Sequence, residues 1–149
     1  MKKTSKVLIL FMISLVATSC LKKITENIVP SGTASIISNG TTFNLGTPTA
    51  VTVLGVVTVE ALKDKSGFTL LLNKSDISTG KTYDLKSSTG VFTFLSEGTY
   101  YVPNTGSLEI TKFTDNKIVE GKFNFEGSAV GSVSKRMTAS GTFSVNIIL

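Results

Sequence analysis

From Thr33 onward, apolar and polar residues alternate with a period of two, and clusters of turn-forming residues interrupt the alternation. Interruptions every eight to twelve residues are the signature of an all-β sandwich or barrel. The pattern predicts strands over Ala34–Ser38, Thr42–Leu45, Ala50–Val53, Val56–Leu62, Phe68–Asn73, Thr82–Leu85, Val91–Leu95, Thr99–Val102, Ser107–Phe113, Ile118–Glu126 and Met137–Ile147. The predicted breaks include Ser38-Asn-Gly40, Gly46-Thr-Pro48, Lys63–Gly67, Ser78-Thr-Gly80, Ser87–Gly90, Pro103-Asn-Thr-Gly106, Asp115-Asn116 and Gly127–Arg136. Glycine supplies positive φ at such corners, while Asn and Asp bond their own turns. Beyond the first twenty residues, no window carries a 3.6-residue period.

Successive side chains on a strand point to opposite faces, so the alternation also names the inside. Met137, Ala139, Gly141, Phe143, Val145 and Ile147 face one way, and Thr138, Ser140, Thr142, Ser144 and Asn146 the other. In Ile118–Glu126 the inward set is Val119, Gly121, Phe123 and Phe125. It is Phe68, Leu70 and Leu72 in Phe68–Asn73, and Val57, Val59 and Ala61 in Val56–Leu62. One wet face per strand suits antiparallel sheets, and short connections make sequential strands neighbours. The expected fold is all-β: a single antiparallel meander forming a β-sandwich or calycin-like barrel, preceded by a cleaved signal peptide. The inward glycines and alanines either thin the core into a cavity or let the sheet curl.

The first residues belong to another regime. Lys2, Lys3 and Lys6 precede an apolar run, Val7–Ala17, and then Thr18, Ser19 and Cys20. A positive segment, a short apolar run and small residues form a secretory leader. The run is shorter than the roughly 20 residues needed to span a bilayer. The organisation that follows is a leader over 1–19, a tether over 20–32 and a β domain over 33–149. The three leader lysines belong to the fifteen basic side chains of the chain. Twelve remain against ten acids, so the mature protein is only weakly basic, and no basic stripe points to nucleic acid.

Leu15-Val-Ala-Thr-Ser-Cys20 resembles the lipobox of bacterial lipoproteins, although Ala17 stands where a large aliphatic residue is usual. The resemblance implies acylation of Cys20 and a membrane partner reached through that anchor. Leu21 follows the cysteine in place of an inner-membrane retention Asp, so the expected location is the cell envelope, at the outer membrane. Several acyl chains hold a protein stably where one does not. Cys20 is the only cysteine, which excludes an intrachain disulfide.

The chain contains no histidine. With its single thiol at a processing junction, it lacks the parts for Ser-His-Asp or Cys-His catalysis and for a His- or Cys-ligated metal. Paired carboxylates remain as a hydrolytic option. Glu120 and Glu126, however, alternate with Lys122 on one outward face, which reads as a solvated charge ladder. No metal, cofactor or catalytic residue is expected.

Phe92, Phe94, Tyr100 and Tyr101 are the candidate ligand-binding residues, because they crowd both faces of consecutive strands. Core packing is the competing reading, and Tyr100 and Tyr101 cannot both point inward. Ser134-Lys-Arg-Met137 is a small basic spot, read as a hairpin tip.

The segments Gly106–Phe125 and Ala139–Val145, with Gly80-Lys-Thr-Tyr-Asp-Leu85 upstream, resemble uncharacterised envelope lipoproteins of the Bacteroidota. In these, a Gly-x-Leu-x-Ile-Thr strand turns into a Gly-x-Phe-x-Phe strand. That resemblance implies an envelope lipoprotein with a compact β domain and no assigned activity. The functional expectation is a non-enzymatic module binding a small apolar or glycan ligand. The alternative is an envelope subunit that presents a sheet surface to a protein partner.

Overall fold

The computed structural model describes residues 31–86 and 90–148. The leader, Cys20, nearly all of the tether and the first three residues of the Ser87–Gly90 break lie outside them. Ten strands form one sheet: β1 (Gly32–Ser38), β2 (Thr41–Gly46), β3 (Thr49–Val53), β4 (Val56–Lys63), β5 (Ser66–Asn73), β6 (Thr82–Asp84), β7 (Gly90–Ser96), β8 (Thr99–Thr114), β9 (Ile118–Ala129) and β10 (Ser132–Ile148). A single 3-10 turn, Lys74–Asp76, leads toward β6.

Most sequential strands pair antiparallel, as in a meander, and the ladder then returns on itself. It passes from β3 through β4, β5, β7, β8 and β9 to β10, and β10 meets β3 again. That last pairing is parallel and short, Ile147 with Ala50 and Ile148 with Val51. The seven-stranded ring carries two outliers: β1, with β2 beyond it, on the same edge of β10 as β3, and β6 on the edge of β8 shared with β7. Closure removes most of the exposed edges that an open sheet leaves.

Two predicted breaks are mostly strand, and the first of them is no chain reversal. Thr99–Val102 and Ser107–Phe113 are parts of one sixteen-residue strand, β8. Pro103 lacks an N–H for the ladder and sits where the register shifts between Pro103 and Thr105, so a bulge absorbs it. Gly127–Arg136 is mostly strand as well. The chain turns only at Val130-Gly131, and an irregularity between Ser132 and Arg136 accommodates the surplus residues. The first strand starts at Gly32, two residues before the predicted Ala34, paired with Val145.

The predicted inward sets form the core. Val57, Val59, Ala61, Phe68, Leu70, Leu72, Val119, Phe123, Phe125, Phe143 and Val145 are all buried. Small residues face rings across the strands. Gly121 stands opposite Phe143, Gly141 opposite Phe123, and Ala139 opposite Phe125. A Cβ at Gly141 would come within 2.5 Å of the Phe123 ring, and one at Gly121 within 2.7 Å of the Phe143 ring. The space left by each glycine is thus taken by the aromatic ring opposite, the small-against-large fit of narrow barrels.

Tyr83 secures the excursion between β5 and β6. Its buried hydroxyl donates to the Asp76 carbonyl and accepts from the Ser78 N–H at 3.2 Å. Ile77 and Leu85 on either side are buried too, so this segment packs onto the core.

Candidate functional site

Of the four aromatic candidates, three belong to the interior. Phe92, Phe94 and Tyr101 are at most 3% exposed. Phe92 lies 5.0 Å from the Phe123 ring and 5.2 Å from Phe125, and Phe94 lies 5.1 Å from Phe125. Phe68 adds a further contact to Phe123 at 4.9 Å. Tilted and edge-on pairs at these spacings are favourable ring contacts. Tyr100 is 57% exposed and opposes Leu95 on the outside of the ring. The structure therefore separates the four residues: three fill the barrel and one faces away from it.

The basic spot at Ser134–Met137 is also dispersed. Lys135 donates to Thr99 Oγ1 at 3.2 Å and sits 6.0 Å above the Tyr101 ring, while Arg136 pairs with Glu126 at 3.2 Å.

What the folded chain brings together is the outer face of β1, β10, β9, β8 and β6. Register aligns their outward residues into cross-strand rows. One row runs Ser35, Thr142, Lys122, Glu109, Thr82, and the next Ile37, Ser140, Asn124, Ser107, Asp84. Thr33, Ser144, Glu120 and Lys112 form a third. At strand and residue spacings of about 4.8 and 3.4 Å, these rows cover roughly 20 Å across the strands and about 14 Å along them.

The face carries shallow depressions. A depression of about 310 Å3 is lined by the first two rows, including Ser35, Ile37, Asn124 and Thr142. It shares Ile37, Asn124 and Ser140 with a second depression of about 450 Å3 that reaches Asn39, Thr105 and Thr138. A third, about 600 Å3, continues past Thr105 and Glu126 toward Arg136. Together they make a shallow trough.

Its polar groups are held in place by one another. Ser35 and Thr142 share a hydroxyl hydrogen bond at 3.1 Å, and Asn124 Nδ2 donates to Ser107 Oγ at 2.9 Å. Lys122 pairs with Glu109 at 3.1 Å and Lys112 with Glu120 at 3.7 Å. All these ion pairs are solvated, so they orient side chains more than they stabilise the fold. Among the described residues, no three His, Cys, Asp or Glu side chains converge to hold a metal.

Sequence reasoning places Lys122, Asn124, Ser140 and Thr142 outward but assigns them no role. The signal that finds them is not the alternation within one strand. It is the register that sets five strands' outward hydroxyls and amides side by side. The chain matches no protein-family model, no curated protein and no solved structure.

Proposed function

We propose that this chain is a non-enzymatic binding module of the cell envelope, anchored through acylated Cys20, that holds a glycan along the trough on its outer sheet face. The carrying observation is the trough itself: rows of Ser, Thr and Asn side chains pre-set by mutual hydrogen bonds, with Ile37 as an apolar contact. A polyhydroxylated ligand exchanges its water for such groups at little cost in side-chain ordering. The packed rings of Phe92, Phe94 and Tyr101 speak for this outer site over an apolar ligand held among them. The three glutamates of the face, Glu109, Glu120 and Glu126, are each matched with a base, which suits binding better than acid–base chemistry. The lipobox-like leader and the likeness to Bacteroidota envelope lipoproteins support the location.

The test is co-sedimentation with insoluble envelope glycan. Wild type is expected in the pellet. Asn124→Ala combined with Thr142→Ala is expected in the supernatant, with an unchanged unfolding midpoint. Wild type that stays soluble, or a double variant that pellets equally, sinks the glycan reading. Cys20→Ser is expected to abolish incorporation of a labelled fatty acid.

A second reading has its own observation. Leu62, Tyr100 and Val102 are exposed apolar side chains outside the trough, which suits a protein partner. Loss of envelope crosslinks in Tyr100→Ser, with glycan retention intact, would support it.

A further inference from the structure

Among the described residues two strands, β2 and the three-residue β6, have a partner on one side only. Among the described residues β2 pairs with β1 and nothing else, and Thr41 to Asn44 are all exposed. Natural edges are usually blunted by charge, by proline or by great shortness. This edge is six residues long without charge or proline, and its one register shift, opposite Ala34 and Ser35, lies beyond Asn44. No charged residue occurs anywhere from Ser31 to Val59, which covers β1, β2 and β3.

The geometry of the edge can be worked out from the turn. Asn39 and Gly40, with φ of 50° and 75°, make the two-residue hairpin that pairs Ser38 with Thr41. In such a hairpin the flanking residues form a hydrogen-bonded pair, and the pattern then alternates. Thr41 and Phe43 therefore spend their backbone groups on β1. Thr42 and Asn44 turn theirs outward. Beyond them, the Gly46 N–H is already bonded to Asn44 Oδ1 at 2.9 Å, which ends the free stretch.

We propose that β2 pairs antiparallel with β2 of a second copy of this chain, across a two-fold axis at Phe43. In that register Thr42 faces Asn44 of the other copy, and their outward N–H and C=O groups satisfy one another twice. Phe43 faces its own counterpart at a non-hydrogen-bonded position, where Cα atoms approach to about 4.5 Å and side chains are closest. Phe43 shares the inner side of the sheet with buried Ile36, yet is 42% exposed, and the second ring covers it. The occupant is a second copy because the edge is self-complementary. A neutral strand meets itself without like-charge repulsion, and an isologous contact closes at two subunits. An acidic or basic partner segment would find no charge here to recognise. The pairing does not depend on what the trough binds.

The experiment is sedimentation across a concentration series, with three variants. Wild type is expected to dimerise. Thr42→Pro removes an outward N–H while sparing every bond to β1, and is expected to weaken the dimer at least about tenfold. Phe43→Cys on a Cys20→Ser background is expected to form an interchain disulfide on mild oxidation, whereas Thr33→Cys on the same background is not. Amide exchange provides a readout free of substitution: the Thr42 and Asn44 amides should slow as protein concentration rises. A chain that stays monomeric with no Phe43→Cys crosslink overturns the proposal. So does a dimer that leaves the Thr42 and Asn44 amides unprotected.

Discussion

The wall made by β8, β9 and β10 and the wall made by β3, β4 and β5 enclose one core with different chemistry. In the long-strand wall, Phe123, Phe125 and Phe143 each rest on the small residue opposite, Gly141, Ala139 and Gly121, beside the aliphatic Leu108, Ile110, Val119 and Val145. In the short-strand wall, inward positions are mainly aliphatic, Ala50, Val57, Val59, Leu70 and Leu72, with one ring, Phe68, opposite Ala61. The outer faces differ as well. The long wall carries matched charges and hydroxyls, while the short wall carries Thr, Val and Leu, including exposed Val53 and Leu62. The long wall thus rests more on shape complementarity between specific pairs, and the short wall, with a single such pair, more on apolar volume.

Substitutions can break or sharpen this contrast. The largest effect is expected for Phe123→Ala, which strips the contacts to Phe68 and Phe92 and uncovers Gly141. It should lower unfolding stability by about 3–5 kcal/mol in a denaturant titration. A smaller loss than that of Leu70→Ala would erase the distinction between the walls. Gly141→Ala is next, at about 1–3 kcal/mol, because the added Cβ meets the Phe123 ring and, at 2.7 Å, the Ser35 carbonyl. Combined with Phe123→Ala, it should cost less than the sum of the two, since one of its two clashes is gone.

On the short wall, Thr52→Val is expected to raise stability by about 1 kcal/mol. The Thr52 Oγ1 is buried without a hydrogen-bond partner among the described residues, so an isosteric methyl removes a desolvation cost. Leu54→Asn at the β3–β4 turn should gain roughly 0.5–1 kcal/mol. Leu54 is 99% exposed at φ 50°, a left-handed conformation that Asn accepts more readily before glycine. The smallest effect belongs to Lys122→Ala on the trough. Losing its pair with Glu109 should cost under about 1 kcal/mol, and less at high salt.

Much of the fold is legible from the residues, and the reason is visible in β9 and β10. A strand with one buried face writes its orientation into a period of two, so Val119 to Phe125 and Ala139 to Ile147 can be assigned without coordinates. Local signals mislead where a long strand absorbs a turn-forming residue. Pro103 and Gly106 resemble a corner, but β9 pairs along the whole of β8 and holds it extended through a bulge. The candidate site is less legible still. Tyr100 and Tyr101 are distinguished only by which falls opposite Ala129 on the inner side. The trough exists only through register, since Ser35 and Thr142 are 107 residues apart in the chain.

The many partners of β10 also govern the order of events as the polypeptide forms. Along its two edges this strand meets β9, over most of its length, β1, over Ala139–Val145, and β3. Gly32 must find Val145, and Ala50 must find Ile147. Contacts so distant along the chain make closure slow, in the millisecond-to-second regime of β proteins. A chain emerging N-terminus first holds its neutral β1–β2 hairpin open until β10 arrives. During that interval the hairpin is a template for unwanted strands, and a chaperone of the compartment would have its clearest target there.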